Sequence, residues 1–131
     1  MAQAVARTRF LRIAPRKLRL LADLIRGKRV WEARDILAFS AKGGALPMSK
    51  LLASAVANAE SAATERRERI DTDEMIVERV LVDEGRTMYR LRTSMRRRAM
   101  RIRKRTSHIE IVISDSASQA AEAAAGGERR G

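Results

Sequence analysis

The chain has 131 residues, of which 45% are hydrophobic and none is cysteine, and it carries a net charge of +12. That length suits one domain with appendages, and the composition supports a globular core while excluding disulfides and thiolate metal sites. The longest uncharged run, "LLASAVANA" from Leu51, has nine residues, well short of the roughly 20 that a membrane helix needs.

The N-terminal segment lacks the apolar core of a signal peptide, so a cytosolic protein is expected, with an organelle as the alternative. Residues 5–13 alternate weakly between apolar and basic, which predicts an edge strand. Pro15 suits the first position of a helix, where its missing N–H costs nothing. Leu18, Leu21, Ala22 and Ile25 then fall on one stripe of a helix over 15–26, with Arg16, Arg19, Asp23 and Arg26 largely off it. Gly27 supplies the stop. A second, short helix over 30–38 turns Ala33, Ile36 and Leu37 inward. Gly43, Gly44 and Pro47 punctuate the next segment. A third helix follows from about Leu46 to Thr64, burying Met48, Leu52, Ala55, Val56, Ala59 and Ala63. Its other positions are mostly small, which lets another backbone approach closely.

The β-branched run 76–82 predicts a strand. So does "SHIEIVIS", in which Ile109, Ile111 and Ile113 share one face. The tail 116–131 is small, polar and low in complexity, and is expected to be disordered. Between the last two strands lies "RLRTSMRRRAMRIRKR", nine positive charges in sixteen residues with no acid. Two antiparallel strands make it a hairpin over about 85–105 that projects beyond the sheet by roughly 30 Å. Such a ribbon is marginal in water on its own, and like charges burden it further. It calls for a polyanion on both sides.

Charge is also segregated along the chain. Residues 1–30 carry nine basic residues and one acid, 60–84 carry nine acids and four arginines, and 85–105 carry ten basic residues and no acid. A polarised surface follows, one side of which suits a polyanion. A charge run is ordinarily a solvated face. Here Leu91, Met95, Met100 and Ile102 interleave it and strands bracket it, which favours nucleic-acid binding. Arg86, Arg90, Arg92, Arg96, Arg97, Arg98, Arg101, Arg103, Lys104 and Arg105 are its candidate contacts.

Little else carries chemistry. His108, the sole histidine, has no partner for acid–base work and reads as a packed residue. Asp83 and Glu84 are adjacent in a strand, so they face opposite ways and form no dyad. Asp71, Asp73 and Glu74 resemble the start of a calcium loop but lack the rest of it. Trp31 reads as a half-buried helix residue, and Tyr89 either as a surface residue or as a base-stacking one. No catalytic residue, metal or cofactor is expected. Many phosphate-directed arginines with little base-reading equipment suit structured RNA. A nucleoid or regulatory DNA-binding protein is the alternative, in which the first helix would imitate a recognition helix.

The segments "APRKLRLLADLIRGKRVWEARDIL", "LLASAVANAE", "VDEG" and above all "RIRKRTSHIEIVIS" resemble the family of protein twenty-two of the large ribosomal subunit, over roughly residues 7–115. The resemblance implies an α+β fold, with three helices packed on a small three-stranded antiparallel sheet and a long projecting β-hairpin. The single domain would span 1–115. It further implies direct binding of large-subunit ribosomal RNA, a part in early assembly, and neighbouring large-subunit proteins as partners. The hairpin would line the polypeptide exit tunnel, its tip (Thr93, Ser94, Met95, Arg96 and Arg97) near the nascent polypeptide. By position, RNA contact falls to Arg16, Lys17, Arg19 and Lys28, and on the hairpin to Arg98, Arg101, Lys104 and Arg105. Neither a membrane nor a homo-oligomer is expected.

The chain departs from the family pattern in three places. Arg86 stands for a proline after "DEG"; Thr93 and Arg97 stand for a proline and a glycine at the tip, which loses turn-forming residues and gains charge. Gly43, Gly44 and Pro47 replace more helical residues and imply a late start to the third helix.

Overall fold

The strand Ser107–Ser114 is the middle of the sheet, and its burial explains much of the rest. The computed structural model describes residues 3–94 and 98–115, apart from the side chains of Ser94 and Arg98. The expectations for Met95, Arg96 and Arg97 and for the tail 116–131 lie outside the described residues. The elements are β1 (Gln3–Leu11), α1 (Pro15–Ile25), α2 (Val30–Phe39), α3 (Ala45–Arg66), a 3₁₀ turn (Thr72–Glu74), β2 (Ile76–Glu84), β3 (Met88–Ser94), β4 (Arg98–Lys104) and β5 (Ser107–Ser114). β1, β5 and β2 form an antiparallel sheet in that order, while β3 and β4 form a separate two-stranded ribbon. The fold is the α+β arrangement expected.

β5 turns Ile109, Ile111 and Ile113 into the core, and as the central strand it also buries Val112 on the other face. The helices cover the inner face. Leu18, Leu21, Ala22 and Ile25 of α1, Ala33 and Leu37 of α2, and Met48, Leu52, Ala55, Val56 and Ala59 of α3 join Val77, Val80 and the isoleucines in one core. The predicted stripes of α1 and α3 are therefore the buried ones. β1 puts Ala4 and Ala6 inward and leaves Val5 exposed, so two small residues let α3 lie close. Asn58 of α3 donates from Nδ2 to the Val5 carbonyl at 2.9 Å.

Several boundaries differ from the sequence reading by one or two residues. β1 covers Gln3–Leu11, α1 ends at Ile25 and α2 runs on to Phe39. α3 covers Ala45–Arg66 without a late start, and β2 runs on to Glu84. Pro47 is tolerated because it sits in the first turn of α3, where no backbone N–H has an intrahelical partner. Trp31 is the half-buried helix residue expected, 44% exposed on α2.

β2 is an edge strand, and its outer edge is sealed. Gly27 and Val30 donate to the carbonyls of Val77 and Met75, and Val77 donates to Lys28, at 2.8–2.9 Å. Further along, Arg26 donates from Nη2 to the Val80 carbonyl at 2.8 Å and Arg19 from Nη2 to that of Val82 at 3.2 Å. Open strand edges template unwanted pairing, and α1 with its following turn removes this one.

The histidine and the acids are structural. β1 breaks register between Thr8 and Leu11, with Phe10 at φ 57°. The Phe10 N–H donates to His108 Nδ1 at 3.2 Å, and the two rings meet edge to face at 5.0 Å. Asp73 pairs with Arg34 at 3.0 Å and Glu74 with Arg29 at 2.8 Å, while Asp71 caps the turn between them. These acids tie the 3₁₀ turn to α2.

Candidate nucleic-acid interface

The ribbon leaves the sheet at a clamp. The Gly85 N–H donates to the Thr106 carbonyl at 2.9 Å, and the Thr106 hydroxyl donates to the Arg86 carbonyl. Next along β5, the fully buried Ser107 donates its hydroxyl to the Ile13 carbonyl. Hydroxyl-bearing residues are apt here because the ladder changes partners and leaves backbone carbonyls to satisfy.

Beyond the clamp the register pairs Met88 with Lys104, Tyr89 with Arg103, Arg90 with Ile102, Leu91 with Arg101 and Arg92 with Met100. Directly opposed residues share a face of the ribbon. Every one of these pairs sets one cation against one apolar or aromatic residue, so no two cations oppose each other. Like charges directly opposite destabilise a sheet, and long cationic side chains lay their stems along apolar surface. This alternation is how a strongly basic ribbon keeps a ladder. Both faces remain cationic, and Tyr89, Leu91 and Met100 remain more than half exposed.

At the ribbon's base a groove of about 890 Å³ opens between β3, β4, the start of α1 and the loop before α3. Arg12, Lys17, Lys42, Arg90, Arg103, Lys104 and Arg105 line it, with Ile13, Leu20 and Met88 as apolar surface, and no acid among them. None of these seven cations pairs with a carboxylate among the described residues. Two helix ends add to the field. α1 has Ala14 and α3 has Gly44 at the N-cap, neither with a side-chain cap, and neither first turn contains an acid. Ala14 and Gly44 both line the groove. Pro15 and Pro47 bring no N–H to these ends, and the N–H groups of Lys17 and Ala45 already donate to the Ala14 and Lys42 carbonyls. The helix ends therefore contribute chiefly their dipoles, which favour an anion beside the cations.

Of the residues singled out in the sequence, the structure brings Lys17, Arg90, Arg103, Lys104 and Arg105 together at this groove. Arg16 is exposed beside it in the first turn of α1, and Arg92 and Arg101 are exposed further along the ribbon. Arg86 is exposed at the clamp. Lys28 lies past the other end of α1, apart from the groove, and Arg19 has one nitrogen on the Val82 carbonyl. Thr93 is exposed on β3; Ser94 and Arg98 are placed by backbone alone. Sequence reasoning missed Arg12 and Lys42. Arg12 is hidden in a segment read only as an edge strand. Lys42 is a single lysine in a loop, and only the folding of that loop onto α1 and the ribbon gives it a role.

A comparison with protein families matches residues 6–114 to the family described as ribosomal protein L22p/L17e. Two similar relatives are the large ribosomal subunit proteins uL22 of Desulfitobacterium hafniense, strains Y51 and DSM 10664 / DCB-2. Each is 50% identical over 113 residues, covering 86% of this chain and 95% of the relative.

Proposed function

Because the chain belongs to the ribosomal protein L22p/L17e family, we propose that its groove and ribbon bind large-subunit ribosomal RNA. It is a structural protein of the large ribosomal subunit, and what the family leaves open is which residues do the binding. The observation that carries the reading is the convergence of seven cations, none with an acidic partner among the described residues, on one groove at the N-terminal ends of α1 and α3. Arg12, Lys17, Lys42, Arg90, Arg103, Lys104 and Arg105 take phosphates at the groove. Arg16, Arg86, Arg92 and Arg101 extend the contact along α1 and both faces of the ribbon. Arg19 on the flank of α1 and Lys28 past its end add contacts, and Arg96, Arg97 and Arg98 add others toward the tip. The domain of residues 1–115 docks on RNA outside, and the ribbon threads into RNA that encloses it, which fits a place along the exit tunnel with the tip residues near the nascent chain. Neighbouring large-subunit proteins complete its surroundings.

Two measurements test this. The protein should co-sediment with large subunits after a high-salt wash. Structured large-subunit RNA should displace duplex DNA of equal length from the purified chain. Preferential retention of the DNA would point instead to a DNA-binding protein.

A further inference from the structure

We propose that the groove at the ribbon's base seats an unpaired, unstacked nucleotide, with its base against Leu20, Met88 and Ile13 and its flanking phosphates on Lys17, Lys42 and Arg103. The inference rests on the RNA-binding reading above and adds the form of RNA that this site takes.

The argument starts from Leu20. It lies on α1 between Lys17 and the helix end, 53% exposed, in a groove also lined by seven cations. An exposed leucine is ordinary by itself. Here the partly buried Ile13 and Met88 line the same groove, so the groove combines an apolar bed with a strongly cationic lining. The outside of an A-form duplex offers phosphates and ribose hydroxyls, which satisfy the cations and leave the bed wet. An unstacked nucleotide offers both surfaces at once, an apolar base face and the charged backbone on either side of it. The groove's volume of about 890 Å³ lies within the range of small-ligand sites, roughly 300–1,000 Å³. Its loop wall comes close because residue 44 is glycine. A Cβ there would stand 2.7 Å from Leu18 Cδ2, and Leu18 is fully buried.

The lining also sets the selectivity. Among the described residues it contains no Asn, Gln, Asp, Glu, Ser or Thr side chain, so only cationic groups and backbone offer polar contacts to a base edge there. Recognition is of an unstacked base rather than of its identity, as on sequence-tolerant stacking platforms, but for one base rather than several.

The test uses the full chain and a short oligouridine, its abasic analogue with the same phosphates, and a duplex RNA of equal charge. Wild type should bind oligouridine roughly tenfold more tightly than the abasic analogue, the order expected for one seated base. Leu20→Ser and Met88→Ser, both confirmed as folded by thermal melt, should each erase that preference without changing the salt dependence. A 4-thiouridine in the oligonucleotide should crosslink to peptides containing Leu20 or Met88 in the wild-type chain. Equal binding of oligouridine and the abasic analogue, tighter binding of the duplex, or crosslinks confined to other peptides would overturn the assignment and leave RNA binding intact. Unaltered RNA binding with failed incorporation of Leu20→Ser into subunits would give the groove to a protein neighbour and overturn it as well. Failure of large-subunit RNA itself to bind would instead remove the reading beneath.

Discussion

A Cβ placed on Gly85 would stand 2.5 Å from the Thr106 hydroxyl oxygen and 3.2 Å from the His108 ring. Gly85 is therefore held by close approach, at the point where the sheet hands the chain over to the ribbon. The Thr106 hydroxyl that crowds it also satisfies the Arg86 carbonyl. Gly85→Ala should lower stability by about 1–3 kcal/mol, the usual cost of overpacking. Thr106→Ala should cost roughly 1 kcal/mol for the lost hydrogen bond. Removing the hydroxyl makes room for the methyl, so the double variant should be clearly less destabilised than the sum. Additive values in denaturant unfolding would show that the two residues do not meet.

The core prediction concerns Leu52, which is fully buried on α3. Leu52→Ala should cost about 2–5 kcal/mol, the range for truncating a core leucine. A thermal melt within error of wild type would mean that α3 is rotated from the orientation described.

The buried stripes of α1 and α3 were legible because 3.6-residue periodicity reports directly on one face of a helix, and Ile109, Ile111 and Ile113 were legible by the same logic at period two. β1 was harder. Its inward residues are Ala4 and Ala6, which pattern reading scores weakly, while the more apolar Val5 faces out. Arg19 and Arg26 have a further role that the pattern does not show. Sequence shows Arg19 and Arg26 as polar-face residues, but not that β2 is an edge strand whose carbonyls need donors. The groove was half legible: the ribbon's cations announce themselves, whereas Arg12 and Lys42 acquire meaning only when the fold brings them to α1.

Arg19 and Lys17 separate structural from binding charge. Arg19 holds the Val82 carbonyl with one nitrogen, and its guanidinium keeps other N–H donors for a phosphate. Arg19→Gln should lower stability by about 0.5–1.5 kcal/mol and also reduce the salt dependence of RNA binding. Lys17→Gln should reduce the salt dependence alone. Equal melts for Arg19→Gln and wild type would remove the role assigned to Arg19 in sealing β2.

Replacing Arg101, Lys104 and Arg105 together should lower the slope of log affinity against log salt by about 2.1–2.7 if each touches one phosphate, each neutralised phosphate contributing about 0.7–0.9. Lys104 and Arg105 line the groove, whereas Arg101 opposes Leu91 further out on the ribbon. Restoring Arg101 alone therefore asks whether contact continues beyond the groove. A slope unchanged by the triple substitution would place these side chains against solvent or protein.

The ribbon itself gives the sharpest test. Its ladder avoids direct opposition of cations, yet among the described residues β3 and β4 pair with each other and with no third strand, and Tyr89, Leu91 and Met100 are left exposed. A two-stranded ribbon of this kind is marginal in water. The same strands enclosed by RNA gain counter-charge on both faces. In the free protein, amides of residues 90–94 and 98–101 should exchange quickly, while those of β5, buried at the sheet centre, exchange slowly. Binding to large-subunit RNA should slow exchange in the ribbon strongly. Excising residues 89–100 behind a short turn should leave the domain folded and still able to bind RNA more weakly, because Arg12, Lys17 and Lys42 remain. Subunits carrying the shortened chain should assemble but differ in nascent-chain stalling. Strong protection of 90–94 and 98–101 without RNA would show that cation–apolar pairing alone suffices, and that the ribbon's charge serves binding without being needed to order it.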